Sequence, residues 1–298
     1  MKKIKIIFLL IIIISLLNIL INNHEYKICL CTIGKQENKY IIEYINYYKN
    51  FGVDKIFLYD NNAQNSEKFE DIIFEYINNG FVELINYRGE KKIQIKAFDD
   101  CYQKNYKKYN WLIFYDVDEF LYLKNYSNIK NFLKEPKFNK CQVIQLNWVM
   151  HTDNNLLHYQ NKSVIERFPE IGKSLNNSID IKSIIRGNLN TNIMSTHYLA
   201  PNLITCDGFG NKKEINEYFS QKRDNKFYFI NHYYTKSTEE FIEKMFKGDA
   251  WNGNSRRFGI VSNYFEINKI TREKINLIEE KTGMNLTKYK IIISSKKP

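Results

Sequence analysis

The sequence predicts an α/β fold built on a doubly wound, mainly parallel sheet, and three observations carry that prediction. Short apolar runs of strand length recur through the first 116 residues. Each is followed by a stretch with apolar residues at helical spacing. The breaks fall on turn formers such as Gly52, Asp60-Asn61-Asn62 and Asn79-Gly80. Strands separated by helices need crossover connections, and crossovers make neighbouring strands parallel.

Tyr26 to Ile33 (YKICLCTI) is apolar in the way of a strand buried on both faces. Glu37 to Phe51 places Ile41, Ile42, Ile45 and Tyr48 on one helical face, and Gly52 ends it. Lys55 to Tyr59 (KIFLY) is the second strand. Phe69 to Ile77 is helical in pattern, and Phe81 to Tyr87 is a third strand. Ile93 to Tyr109 suits a helix, and Trp111 to Tyr115 (WLIFY) a fourth strand. Beyond residue 140 the pattern loosens. Cys141 to Met150 reads as a strand, the stretch to about Tyr228 as loop-rich, and Tyr228 to Tyr234 as a last strand. Ser237-Thr238-Glu239-Glu240 is a capping box, with Ser237 as N-cap and Glu240 at N3. The helix it opens is expected to bury Phe241, Ile242, Met245 and Phe246 and to end at Gly248.

Charged residues at 26% and hydrophobic residues at 44% exclude a disordered or collagen-like chain. The net charge of +11 fits nucleic acid, a membrane surface or an anionic small ligand, and composition does not choose among them. Lys2, Lys3 and Lys5 precede an apolar stretch from Ile6 to Ile21, interrupted by Ser15 and Asn18. About 16 such residues make a helix of about 24 Å, close to the hydrocarbon thickness. The stretch ends Leu20-Ile21-Asn22-Asn23-His24, without the small residues of a cleavage site. Residues 1–24 are therefore expected to be an uncleaved signal anchor, and residues 25–298 the folded domain. The early lysines favour a translocated body. That gives a single-pass type II protein with a Golgi-lumenal domain in a eukaryote, or a cytoplasm-facing one in a bacterium.

Five cysteines, with Cys29 and Cys31 two apart on one strand and pointing the same way, do not read as a disulfide framework. The sequons at Asn125, Asn161, Asn176 and Asn285 are what an asparagine-rich chain contains by chance.

The sharpest local signal is WLIFYDVDEF, from Trp111 to Phe120. In an extended segment residues i and i+2 share a face, so Asp116 and Asp118 are expected side by side at a strand end. Two adjacent carboxylates repel unless a cation or donors neutralise them, which makes Mg²⁺ or Mn²⁺ the natural partner of a bound diphosphate. The competing reading is a turn after a strand. Asp60 ends the second strand, where an acid can hold a ribose or base, or can simply form a turn. No Gly-x-Gly-x-x-Gly loop is present, which disfavours a dinucleotide. A phosphatase of the Asp-x-Asp type would place its motif on the first strand. Here three strands precede it.

Taken in order, these blocks resemble glycosyltransferase family 92, with the related family 2-like GT-A enzymes close behind. Glu37 to Asn62, Gln94 to Cys101, Trp111 to Phe120, Asn147-Trp148 with Asp153, Ile181 to Arg186 before His197, and His232 to Ser237 carry the resemblance over roughly residues 27 to 250. Tyr40 stands where the family often has Trp, and Lys247-Gly248 where Arg-Gly is common. The resemblance implies a GT-A fold and a Mn²⁺-dependent transfer from a nucleotide sugar, usually UDP-linked and often galactose, with inversion. The acceptor would be a glycan, glycoprotein or lipid-linked hydroxyl. By position, Asp116 and Asp118 would hold metal and diphosphate, with His232 as a further ligand and His197 in reserve. Lys236 would face the diphosphate, and Thr32, Asp60 and Gln94 would contact the nucleotide. Inversion requires a base: Asp153, Glu166, Asp207 and Asp249 are the candidates, and Asp153, in a polar loop past a strand, is the choice. A non-catalytic carbohydrate- or nucleic-acid-binding module is the alternative class, needing a basic aromatic face. The acidic pair makes a nucleotide sugar the better anion, and no nucleic-acid partner is expected.

Overall fold

The computed structural model describes residues 25–172, 181–197, 202–213, 224, 226–247 and 257–295. The expected anchor over residues 1–24 lies outside them. Among the described residues no helix is long and apolar enough to cross a membrane.

The strands are β1 (Ile28–Gly34), β2 (Lys55–Asp60), β3 (Val82–Asn86), β4 (Trp111–Phe114), β5 (Glu119–Leu123), β6 (Val143–Met150), β7 (Ile181–Arg186), β8 (Thr205–Cys206) and β9 (Tyr228–His232). They form one sheet in the order β3-β2-β1-β4-β7-β6-β9-β5, with β8 beside β6. The β1–β4 half is parallel throughout. β7 then runs antiparallel to β4 and β6, and β5 antiparallel to β9, so the sheet is mixed although most pairings are parallel. Helices α1 (Ile41–Asn50) and α2 (Glu70–Asn78) cover one face of the parallel half, and α3 (Gln94–Asn105) the other. Alternation in β1 serves both cores. Ile28 and Leu30 pack with Tyr44 and Tyr48 of α1, while Cys29, Cys31 and Ile33 pack with Phe98 and Cys101 of α3. Each such side chain, fully buried, contributes about 1.5–3 kcal/mol. Ile42, expected on the buried face of α1, is exposed.

Short helices α4 (Ile129–Leu133) and α5 (Val164–Arg167) follow, and the chain closes with α6 (Thr238–Lys247), α7 (Arg257–Ile267), α8 (Arg272–Thr282) and α9 (Thr287–Ser295). Phe241, Ile242 and Met245 of α6 meet Val261 and Tyr264 of α7 and Ile275 and Ile278 of α8 in a third core. Phe246, expected inside, is half exposed because it falls on the outer side of α6. Gly248 lies outside the described residues. The capping box forms as read, with Ser237 N donating to Glu240 Oε2 at 3.1 Å and Glu240 N to Ser237 Oγ at 3.3 Å.

Two expectations are corrected. Cys31 is bonded to Cys101 and Cys141 to Cys206, leaving Cys29 as a buried free thiol. Cys29 and Cys31 do share a face, but the partner of Cys31 comes from α3, 70 residues along, which local spacing does not show. Residues 115–118 are not extended. Glu119 N donates to Asp116 O at 3.0 Å, closing a turn that sends β5 back towards β9.

Candidate active site

The parallel strands end on one side of the sheet, where open α/β sheets bind ligands. β1 runs two residues past Thr32, to Gly34, and a Cβ there would meet the Phe69 ring at 2.6 Å. Thr32 is consequently buried inside the strand instead of standing at its tip. Asp60 does end β2, but both carboxylate oxygens are occupied. Arg88 Nη1 donates to Oδ2 at 2.7 Å and the Asn62 amide to Oδ1 at 2.8 Å. The turn reading of Asp60 describes this geometry, with Arg88 as the partner of its second oxygen.

The turn between β4 and β5 is held from below by α1. Tyr44 Oη donates to Tyr115 O at 3.3 Å and Tyr48 Oη to Glu119 O at 2.8 Å. The two aspartates consequently look different ways. Asp116 accepts from Gln94 Nε2 at 2.7 Å and from Lys182 Nζ at 2.7 Å. Gln94, expected at the nucleotide, instead fixes Asp116 from the first turn of α3. Both oxygens of Asp116 are thereby engaged, which also removes it as a phosphatase nucleophile.

Asp118 faces Glu119 and His232. One ligand atom from each of these three residues lies within 4.8 Å of the others, and all three residues are buried. His232 Nε2 is 3.5 Å from Asp118 Oδ1, and Lys244 Nζ donates to Asp118 Oδ2 at 2.8 Å. Burial alone would raise the Asp118 carboxyl, but Lys244, His232 and Lys236 overcome it and hold the group well below the usual carboxylate range. Glu119 goes the other way, because burial and the two neighbouring aspartates outweigh Lys182 and push it well up. Burial also lowers the His232 imidazole, which favours the neutral, metal-binding form.

The donor set passes a fit test for a divalent cation. Among the described residues, Glu119 Oε1 and His232 Nδ1 are buried without a hydrogen-bond partner, and Glu119 Oε1 has only the longer ion pair with Lys182. A buried polar atom left without a hydrogen bond costs about 1–3 kcal/mol unless something completes it. Two carboxylates and one imidazole suit Mn²⁺ in ligand type. The trio the structure assembles is thus Asp118, Glu119 and His232, where Asp116, Asp118 and His232 were expected. Asp116 is drawn away by Lys182, which is fully buried and also lies 3.4 Å from Glu119 Oε1.

Lys244 also lines a cleft of about 470 Å³, in which Lys39, Lys236 and Lys247 face Glu37, Glu67, Glu240 and Glu243. Lys236 is buried, adopts φ +51°, and sets its ammonium 4.2 Å from the centre of the Tyr40 ring. Left-handed backbone at a non-glycine residue costs about 1 kcal/mol, and burial lowers its pKa. Among the described residues it forms no ion pair, so its charge is available to an anion.

Asp153 is not part of this arrangement. Its carboxylate is buried, ion-paired with Lys274 at 2.6 Å, and accepts from Tyr264 Oη at 2.5 Å and the Asn155 amide at 2.9 Å. A group so committed has no free lone pair for an acceptor hydroxyl, so the expected base is a structural anchor. His197 contacts the edge of Trp148 and Ile181 O, outside the ligand trio. Glu119, Lys182, Lys244 and Trp148 went unassigned in the sequence. Glu119 and Lys182 sit inside the quoted blocks, but nothing in those blocks says which acid a buried lysine will claim.

The family 92 glycosyltransferase profile matches residues 24–271. A family 92 protein of Ricinus communis is 32% identical over 108 residues, 34% of this chain and 17% of that one. One of Arabidopsis thaliana is 29% identical over 107 residues, 33% of this chain and 17% of that one. The matched stretches span about a fifth of the length of these relatives. Among solved structures, S. aureus TarS 1-349 is similar with a TM-score of 0.40 at 14% identity, covering 85% of this chain and 70% of that one. Its complex with UDP-GlcNAc gives 0.38 at 14% identity, covering 85% and 71%. With the profile running through β1, the acidic turn, β9 and α6 in one unbroken match, the chain belongs to glycosyltransferase family 92.

Proposed function

We propose that this chain is a metal-dependent glycosyltransferase that moves a sugar, galactose among those expected, from a UDP-linked donor to a hydroxyl acceptor with inversion. The observation that carries this reading is the meeting of Asp118, Glu119 and His232, joined through Lys244 to a cleft that Lys236 also lines. Asp118, Glu119 and His232 would hold Mn²⁺ or Mg²⁺. A bound divalent cation would neutralise the diphosphate and stabilise it as leaving group. Lys236, fixed against Tyr40 and without an ion pair among the described residues, supplies a preorganised positive charge for the same phosphates. Lys182 keeps Asp116 in place and offsets the acidic turn from inside the protein. Lys244 covers Asp118 and gives up that contact when a cation arrives.

The acceptor is proposed to be a glycan, glycoprotein or lipid-linked hydroxyl. The domain is proposed to be translocated and membrane-held through residues 1–24. Two disulfides support this placement, since such bonds persist in oxidising compartments.

The test is donor hydrolysis and UDP binding by the purified full chain, with Mn²⁺ and with EDTA, across UDP- and GDP-sugars. Turnover of one donor that needs the divalent ion is expected. Equal binding in EDTA would refute the metal assignment.

A further inference from the structure

Two residues of the metal-fitting trio, Glu119 and His232, line up across the sheet with Trp148 and Lys182. Glu119 in β5 pairs with His232 in β9. Trp148 in β6 pairs with Ile230, two residues before His232. Lys182 in β7 pairs with Leu146, two residues before Trp148. Directly paired residues share a face, as do residues two apart, so Glu119, His232, Trp148 and Lys182 form one diagonal on one face. The Trp148 ring centre is 4.1 Å from that of His232, 5.4 Å from that of His197 and 5.9 Å from Lys182 Nζ.

Among the described residues, three buried atoms on this diagonal have no hydrogen-bond partner: Glu119 Oε1, His232 Nδ1 and Trp148 Nε1. A divalent cation answers for the carboxylate oxygen and the imidazole nitrogen. It cannot answer for the indole, which is only a donor and ligates no metal. A buried N–H left unpaired is disfavoured by about 1–3 kcal/mol, so the site calls for an oxygen acceptor beside the metal position. That oxygen has to be neutral or partly negative and flanked by aromatic surface, as a pyranose hydroxyl is.

We infer that Trp148 is a specificity-determining contact, its indole N–H donating to a hydroxyl of the pyranose handled at this site. The inference rests on the glycosyltransferase reading and deepens it. The hydroxyl belongs either to the transferred sugar or to the acceptor, and the experiment separates the two.

The full chain, labelled with ¹⁵N-tryptophan and saturated throughout with diamagnetic Mg²⁺, is titrated with UDP, with UDP-galactose, UDP-glucose and UDP-GlcNAc, and with methyl galactoside. The Trp148 indole signal is the one that Trp148→Phe removes. It is expected to move with a UDP-sugar or with the saccharide, and to stay in place with UDP alone. In parallel, Trp148→Phe should raise KM for the sugar-bearing partner about 3- to 10-fold while UDP affinity stays within about twofold. A signal that moves with UDP alone, or equal weakening of UDP and UDP-sugar, would overturn the inference and make Trp148 a support for His232. So would a signal that no ligand moves. Wild-type protein that binds no nucleotide but still shifts the signal with saccharide would sink the transferase reading and leave the Trp148 contact standing.

Discussion

Asp118 and Asp153 invite comparison, since both are buried, both follow an apolar strand, and both are held by a lysine. Around Asp153 every strong donor and acceptor is matched. Lys274 serves both its oxygens and also donates to Asn155 Oδ1 and Lys269 O, while Tyr264 and Asn268 complete the set. Around Asp118 the matching fails at Glu119, His232 and Trp148. Lysine contact and burial therefore do not separate an anchor from a site. What separates them is whether several polar groups at one place are left without partners, since buried polar groups are nearly always completed by protein, water, an ion or a ligand.

The comparison breaks most easily through Asp118→Ala. Transfer should fall by about three orders of magnitude in a variant that still folds, read by donor turnover and thermal melt. A folded variant that keeps most activity would move the metal elsewhere. Asp153→Asn should behave in reverse, losing about 3 kcal/mol of stability as Lys274 is left without its counter-ion, while kcat of the folded protein changes less than about threefold. Urea unfolding with activity measured below the transition reads both.

Acid provides the third probe. Burial tends to raise the Glu240 carboxyl, but Arg167, Ser237 and Tyr40 bring it down to about 2. Its folded pKa lies below its unfolded one, so the stabilisation is complete above about pH 4.5 and fades as pH falls towards 2. Between pH 4.5 and 3 roughly 2 kcal/mol should go. Glu240→Gln should flatten that part of the stability curve. The smallest effect is expected from Gln94→Ala, which frees one oxygen of Asp116 and should lower kcat/KM about tenfold. No change would mean that Lys182 alone orients Asp116.

Much of the first half was legible because each strand there carries its own apolar run and each helix its own face. β1 to β4 and α1 to α3 all lie where the periodicity puts them, within a few residues at each end. In the second half β6, β9 and α6 also lie where their local pattern puts them, but β7 and α7 to α9 owe their place to partners far along the chain. β7 is a strand because β4 and β6 flank it, although its sequence sits in a stretch that reads as loop. The site divides in the same way. Asp118, His232 and Lys236 were readable from local motifs. Lys182 claiming Asp116, Arg88 claiming Asp60 and Lys274 claiming Asp153 are three long-range decisions that no local spacing records.

Lys274 has one more bearing on how this protein can be cut and recombined. It belongs to α8, three residues beyond the last position that the family profile matches, yet its ammonium ends in the loop after β6. A fragment trimmed at residue 271 would retain every residue of the acidic turn and the lysine cleft. It would also enclose Asp153 with no cation and leave the apolar sides of α6 and α7 facing water. The edge of the shared sequence is thus not the edge of the cooperative unit, and a graft or truncation meant to carry the site should extend through α8.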